Sequence, residues 1–127
     1  MKLLLDTQVF LWAVSNHELS QRARDAFLDT NNQLFLSAAS YWEICIKQSI
    51  AKLLLAGDWQ QSFERELQIN DIRWLPIERG HCQAVIALPW LHRDPFDRLL
   101  IGQALHEGMT ILTDDEQIRR YGVATVW

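Results

Sequence analysis

The stretch Lys2-Leu3-Leu4-Leu5-Asp6-Thr7 decides the fold class of this chain. Three leucines in an unbroken run, closed by an acid and a threonine, suit a strand covered on both faces. A strand with one wet face would alternate apolar and polar residues instead. Met109-Thr110-Ile111-Leu112-Thr113, followed by Asp114-Asp115, repeats the pattern near the other end. Gln33 to Ser37, after the turn signal Asn31-Asn32, reads as another strand, and so do Arg73 to Ile77 and Ala124 to Trp127. Helical spacing fills the intervals. Residues 7 to 15 put Phe10, Leu11 and Val14 on one side, and Ser20 caps Gln21 to Asp29. Ala38 to Ala51 repeats Trp42, Cys45, Ile46 and Ile50, and Trp59 to Ile69 resumes after the Gly57-Asp58 break. Arg79 to Leu88 stops at Pro89, and Glu116 to Tyr121 is short. Strands that alternate with helices predict an α/β fold, its mostly parallel sheet covered on both faces.

Bulk properties narrow the class. At 127 residues the chain is expected to form a single domain, 1–127, and its 49% hydrophobic and 22% charged residues are ordinary for a globular core. No apolar run approaches the roughly 20 residues that span a bilayer. The leading leucines meet Asp6 too soon for a secretory signal, and Cys45 and Cys82 lie far apart. A reduced, cytoplasmic protein with no membrane partner is the expectation. A net charge of −4 argues against a basic protein that holds nucleic acid by phosphate neutralisation alone. It leaves open a nuclease whose bound cations supply the positive charge.

Ligands in such folds bind outside the carboxyl ends of the strands, where strand order reverses. Asp6 and the Asp114-Asp115 pair both follow strands directly, so both fall at that edge. Each also has a structural alternative: Asp6 as the cap of the helix over residues 7 to 15, Asp114 and Asp115 as turn or cap residues. A third group stands in His92-Arg93-Asp94-Pro95-Phe96-Asp97-Arg98. Asp94 suits the N-cap and Pro95 the first helical position, with the helix ending near Gly108. Asp97 then occupies the third position, where the helix dipole favours a carboxylate. If that helix start reaches the crevice, Asp97 joins the cluster. Glu43 is a further candidate. Ser40-Tyr41-Trp42-Glu43 also fits a capping box, and Lys47 four residues on fits a helical ion pair.

Converging carboxylates have a physical consequence. Two about 6 Å apart repel by roughly 3 kcal/mol at an effective dielectric of 20. Three or four in one crevice need a cation or protons to offset the repulsion. All-oxygen ligands suit Mg²⁺ or Mn²⁺, which activate water and stabilise phosphoryl transfer. His17, His81, His92 and His106 show no zinc spacing and read as surface or internally satisfied residues. The chain has no glycine-rich phosphate loop and no Gly-x-Ser-x-Gly elbow. Metal-dependent hydrolysis of a phosphate ester is the sharpest reading.

Four segments resemble a known family. Leu4-Leu5-Asp6-Thr7 with Leu11-Trp12, Ser40-x-Trp42-Glu43-Ile44-x-Ile46-Lys47, Asp94-Pro95-Phe96-Asp97-Arg98 and Leu112-Thr113-Asp114-Asp115 follow in order from end to end. Together they are similar to PIN-domain ribonucleases, and more closely to VapC-type toxins of bacterial type II toxin–antitoxin pairs. The resemblance implies a three-layer α/β/α sandwich around a mostly parallel sheet of four or five strands. It implies an endoribonuclease using Mg²⁺ or Mn²⁺, with Asp6, Glu43 and Asp97 as the core acids. Asp115 matches the fourth acid, with Asp114 beside it as an alternative. Asp94 would cap the helix, and Thr7 and Thr113 would orient carboxylates or water. Where similar proteins usually carry histidine after the Asp-Thr pair, this chain has Gln8.

Arg93, Arg98 and Arg119 are the candidates for RNA phosphate contact, with Lys47 and Arg120 behind them; each could equally face solvent. The resemblance also implies a homodimer or hetero-oligomer and a cognate antitoxin over an apolar groove. Leu53-Leu54-Leu55, Trp59 and Phe63 would line that groove, or belong to the core. Two other classes fit the same residues: a PIN nuclease of RNA processing without an antitoxin, and an inactive PIN scaffold that binds a partner.

Overall fold

The computed structural model describes residues 1–15 and 17–127. In chain order the elements are β1 (Lys2–Leu5), α1 (Thr7–Val14), α2 (Gln21–Leu28), β2 (Gln33–Ser37), α3 (Ala38–Ser49) and α4 (Trp59–Ile69). They continue with β3 (Ile72–Leu75), α5 (Arg79–Ile86), α6 (Pro95–Glu107), β4 (Thr110–Leu112), α7 (Glu116–Arg119) and β5 (Thr125–Val126). The five strands lie in the order β3-β2-β1-β4-β5, and every neighbouring pair is parallel. Helices on both faces complete the three-layer sandwich. The strand read over 73–77 starts one residue earlier and stops at Leu75, because Pro76 has no N–H to extend a ladder.

The leucine run explains the centre of the sheet. Leu3, Leu4 and Leu5 are fully buried, and successive side chains point to opposite faces. Leu3 and Leu5 join Phe10, Ile44 and Phe63 in one core. Leu4 joins Leu100, Ile101 and Ile111 in the other. Fully burying each leucine stabilises by about 2 kcal/mol before the entropy of ordering it. Strand β1 therefore pins both layers at once.

Two local details position the site. Helix α6 starts as its sequence predicts: Asp94 Oδ1 accepts the Phe96 and Asp97 amides at 2.9 and 3.1 Å, with Pro95 at the first position. It ends at Gly108, whose φ of 67° is the left-handed cap that glycine adopts without strain. Helix α3 begins earlier than a Ser40 cap would require. Ser37, the last residue of β2, is the cap and accepts the Ala39 amide at 3.0 Å. Ser40 lies inside the helix, so the Ser40–Glu43 capping box does not form. The Glu43–Lys47 ion pair does form, at 3.0 Å.

From β1 the chain moves to β2 on one side, while β4 lies on the other. The carboxyl ends of β1 and β4 thus flank the point where strand order reverses, and loops leaving in opposite directions open a crevice there.

Candidate active site

That crevice is acidic. A cleft of about 330 Å³ is lined by Asp6 at the end of β1, Glu43 on α3, Asp94 and Asp97 at the start of α6, and Asp115 after β4. Thr7, Gln8, Lys47 and Lys52 complete its polar wall. Asp97 therefore does reach the strand ends. Asp114 does not line this cleft; it lines a smaller pocket beside it with Trp12 and stands 4.0 Å from Arg119.

Each carboxylate is held through one oxygen. Thr113 donates its hydroxyl to Asp6 Oδ2 at 2.7 Å, Lys47 Nζ stands 3.0 Å from Glu43 Oε2, and His92 Nε2 stands 3.0 Å from Asp97 Oδ2. Asp115 Oδ1 accepts the Gln117 amide at 2.8 Å and so caps α7. Glu43 Oε1, Asp97 Oδ1 and Asp115 Oδ2 make no hydrogen bond to another described residue. Asp6 stands at the N-cap of α1, where the Thr113 hydroxyl chiefly, and the Gln8 backbone amide to a lesser degree, favour its charged form. Thr7 also lines the cleft, but its hydroxyl donates to Ser40 Oγ at 2.8 Å and so ties α1 to α3 instead of orienting a carboxylate directly.

The electrostatics follow from burial and like charge. Burial chiefly raises the Asp6 carboxyl to about 6, with Asp115 and Glu43 adding to it and the Thr113 hydroxyl opposing. Asp97 rises to about 7, again mainly through burial; the His92 hydrogen bond opposes this, and Asp94, Asp6 and Asp115 add to it. The cleft holds protons that isolated aspartates would release. Among the described residues, no three His, Cys, Asp or Glu side chains stand close enough together to enclose an ion. The donor set nonetheless fits a hard divalent cation: several carboxylates share one cleft, and Glu43, Asp94, Asp97 and Asp115 each keep an oxygen without a hydrogen bond to another described residue.

The arginines divide. Arg98 corrects the sequence reading: at 4% exposure it is no solvent-facing charge, and it lies outside the acidic cleft, along the groove that Arg93 also lines. Its guanidinium donates to Pro89 O at 2.7 Å and Tyr121 Oη at 3.0 Å, and it stacks 4.1 Å over the Trp90 ring. Arg93 lines that groove with Trp90, Ile86 and Leu99. Arg119 stays half-exposed beside the Thr113 carbonyl. Sequence reasoning missed Lys52, whose place in a loop after α3 gives no periodic signal. It also missed the pairing of His92 with Asp97, since a five-residue separation across a helix cap matches no helical contact.

A PIN domain family model matches residues 3–124. The chain belongs to the PIN domain family. Solved PIN-like folds agree with the architecture. The protein is similar to a chain of the VapBC2 structure from Rickettsia felis, bound to a DNA fragment from its promoter. That match has a TM-score of 0.72 and 16% identity, covering 98% of this chain and 97% of that one. It is also similar to a chain of VapBC-1 from nontypeable Haemophilus influenzae, with a TM-score of 0.68, 18% identity and coverage of 98% and 96%. A third match, FitAcB from Neisseria gonorrhoeae, has a TM-score of 0.63, 19% identity and coverage of 97% and 95%. No curated protein sequence matches the chain significantly. At these identities the likeness shows the PIN fold.

Proposed function

We propose that this PIN domain is a metal-dependent endoribonuclease, the toxin of a toxin–antitoxin pair. The observation that carries the reading is the convergence of Asp6, Glu43, Asp97 and Asp115 on one cleft at the reversal point of the sheet. In this reading Asp6, Glu43 and Asp97 hold Mg²⁺ or Mn²⁺ directly or through water, and Asp115 completes the set. A bound ion of this kind supplies an activated water and stabilises charge on the phosphoryl oxygens. The chain's own groups do the rest. Thr113 fixes Asp6, Asp94 fixes the start of α6, and Lys47 and Lys52 meet the RNA backbone at the rim, with Arg119 beyond them. Lys47 pairs with Glu43 at 3.0 Å, and its ammonium at the cleft would be available to a phosphate if a cation were held by the acids.

The partner side of the proposal rests on VapBC-like neighbours and one groove. Phe10, Leu11, Val14, Leu55, Trp59 and Phe63 form the apolar part of a groove of about 320 Å³ beside the acidic cleft, and Ser62, Arg65 and Glu66 line the rest. An antitoxin segment covering it would lie close enough to obstruct the acids. Leu53 belongs to the acidic cleft instead, and Leu54 is 84% exposed. A cytoplasmic homodimer or toxin–antitoxin hetero-oligomer, built on a single PIN domain, completes the reading. No helix among the described residues is long and apolar enough to cross a membrane.

The test is direct. Purified protein should cleave RNA with Mg²⁺ or Mn²⁺, stop when the metal is chelated, and lose on the order of 10³-fold in rate as Asp97→Asn. Expression should arrest growth, and co-expression of a small protein encoded next to it should relieve the arrest. Full cleavage by Asp97→Asn would sink the mechanism.

A further inference from the structure

We propose that His92 is a positioning residue for Asp97: Tyr121 holds its imidazole in one tautomer, and its Nε2–H fixes the carboxylate oxygen Oδ2. The assignment rests on the metal reading only for what Asp97 binds. The hydrogen-bond chain itself follows from counting protons.

Among the described residues the Tyr121 hydroxyl has three hydrogen-bond neighbours: the His92 backbone N at 3.3 Å, Arg98 Nη1 at 3.0 Å and His92 Nδ1 at 2.7 Å. A backbone amide and a guanidinium can only donate, so together they occupy both lone pairs of the hydroxyl oxygen. Its single proton is left for His92 Nδ1. A nitrogen that accepts carries no hydrogen, which puts the proton of the neutral ring on Nε2, 3.0 Å from Asp97 Oδ2. The direction of every bond in the chain Arg98–Tyr121–His92–Asp97 is thereby set.

The anchor of the chain is rigid. Arg98 is buried, binds the Pro89 and Leu88 carbonyls at 2.7 and 3.4 Å, and stacks on Trp90, so it cannot follow a moving tyrosine. Tyr121 follows α7, His92 precedes the cap of α6, and Asp97 sits one turn inside α6. Three segments thus meet on one carboxylate. The Asp97 backbone is held independently, because its amide donates to Asp94 Oδ1. With Oδ2 fixed by His92, Oδ1 is the oxygen left to a cation. Partners of this outer kind set the orientation of a ligand, and their loss weakens metal binding or activity by about 10- to 100-fold.

Two readouts test this, and the first needs no metal. Nitrogen-15 spectra of metal-free wild-type protein at pH 8 should show His92 with bare Nδ1 and protonated Nε2. Tyr121→Phe should turn that single tautomer into a mixture. A proton on Nδ1 in the wild type would overturn the proposal. The second is Mn²⁺ affinity by calorimetry, with folding checked by melting. His92→Ala should bind about 10- to 100-fold more weakly. His92→Gln, whose amide can donate where Nε2–H does, should recover most of the loss, which a mere packing role would not predict. Wild-type affinity in a folded His92→Ala would overturn the positioning role. Failure of the wild type itself to bind Mn²⁺ would instead overturn the metal reading of the cleft, and with it the purpose assigned to His92, whatever the tautomer.

Discussion

Helix α6 carries a buried polar cluster at each end, and the two are built on opposite electrical plans. Toward its C-terminus, Gln103 accepts the Ser37 hydroxyl at 2.6 Å and reaches the Pro76 carbonyl, while fully buried His81 links the Glu78 amide to Glu107. Donors there meet acceptors, and the helices close tightly: a Cβ on Gly102 would come within 2.9 Å of the His81 carbonyl. Toward the N-terminus, Asp94 and Asp97 face Asp6 and Asp115 across the cleft, and burial and repulsion raise the Asp97 and Asp6 carboxyls. One cluster closes a helix pair. The other keeps like charges together, which is a cost to the free protein unless something positive arrives.

The contrast makes substitutions at the two ends move stability in opposite directions. The largest effect belongs to the satisfied cluster. His81→Ala strands the Glu78 amide and leaves a hole, and should cost about 3 kcal/mol in denaturant unfolding. Cleavage per folded molecule should stay unchanged. Gly102→Ala should cost about 2 kcal/mol through overpacking of α5 on α6, read in the same way. Asp97→Asn should reverse the sign: metal-free protein at pH 8 should gain about 1 kcal/mol or more, because a buried charge is removed from a repelling set. A destabilised Asp97→Asn would show that the two clusters are alike after all.

The same contrast has a signature in pH. Asp6 and Asp97 titrate at about 6 and about 7 in the folded chain, above the ordinary value of 3.8. The folded state therefore binds their protons more tightly than the unfolded state does. The stability they contribute is fully present below about pH 4 and is lost as pH rises through 6 to 7. Melting of metal-free wild type should fall over that window, and Asp97→Asn should flatten the slope. A wild-type slope of the opposite sign would contradict the raised carboxyls.

The fold was largely legible because its signals are local. Apolar runs mark β1 and β4, Trp59 to Ile69 keeps helical spacing over its whole length, and Asp94-Pro95 announces the start of α6. The helical spacing from Ala38 puts the start of α3 where the structure has it, and only the alternative Ser40–Glu43 capping box fails, because Ser37 supplies the cap. The acids at strand ends were legible too, since Asp6 and Asp115 follow apolar runs. What sequence could not give was the environment made by distant segments. Arg98 looks like a surface charge until Tyr121, 23 residues on, and the Pro89 carbonyl enclose it. Thr7 looks like a carboxylate partner until Ser40 meets it from α3.

In the proposed reading the like-charged end of α6 faces a cation centre. Titrating Mn²⁺ into metal-free wild type at pH 7.5, while following heat and melting temperature, tests that claim most directly. The account predicts saturable binding and, at a hundredfold excess over Kd, about 2.7 kcal/mol of added stability, seen as a rise of several degrees. Asp97→Asn should lose both responses. A wild type whose melting temperature stays fixed in millimolar Mn²⁺, with no heat of binding, would contradict it.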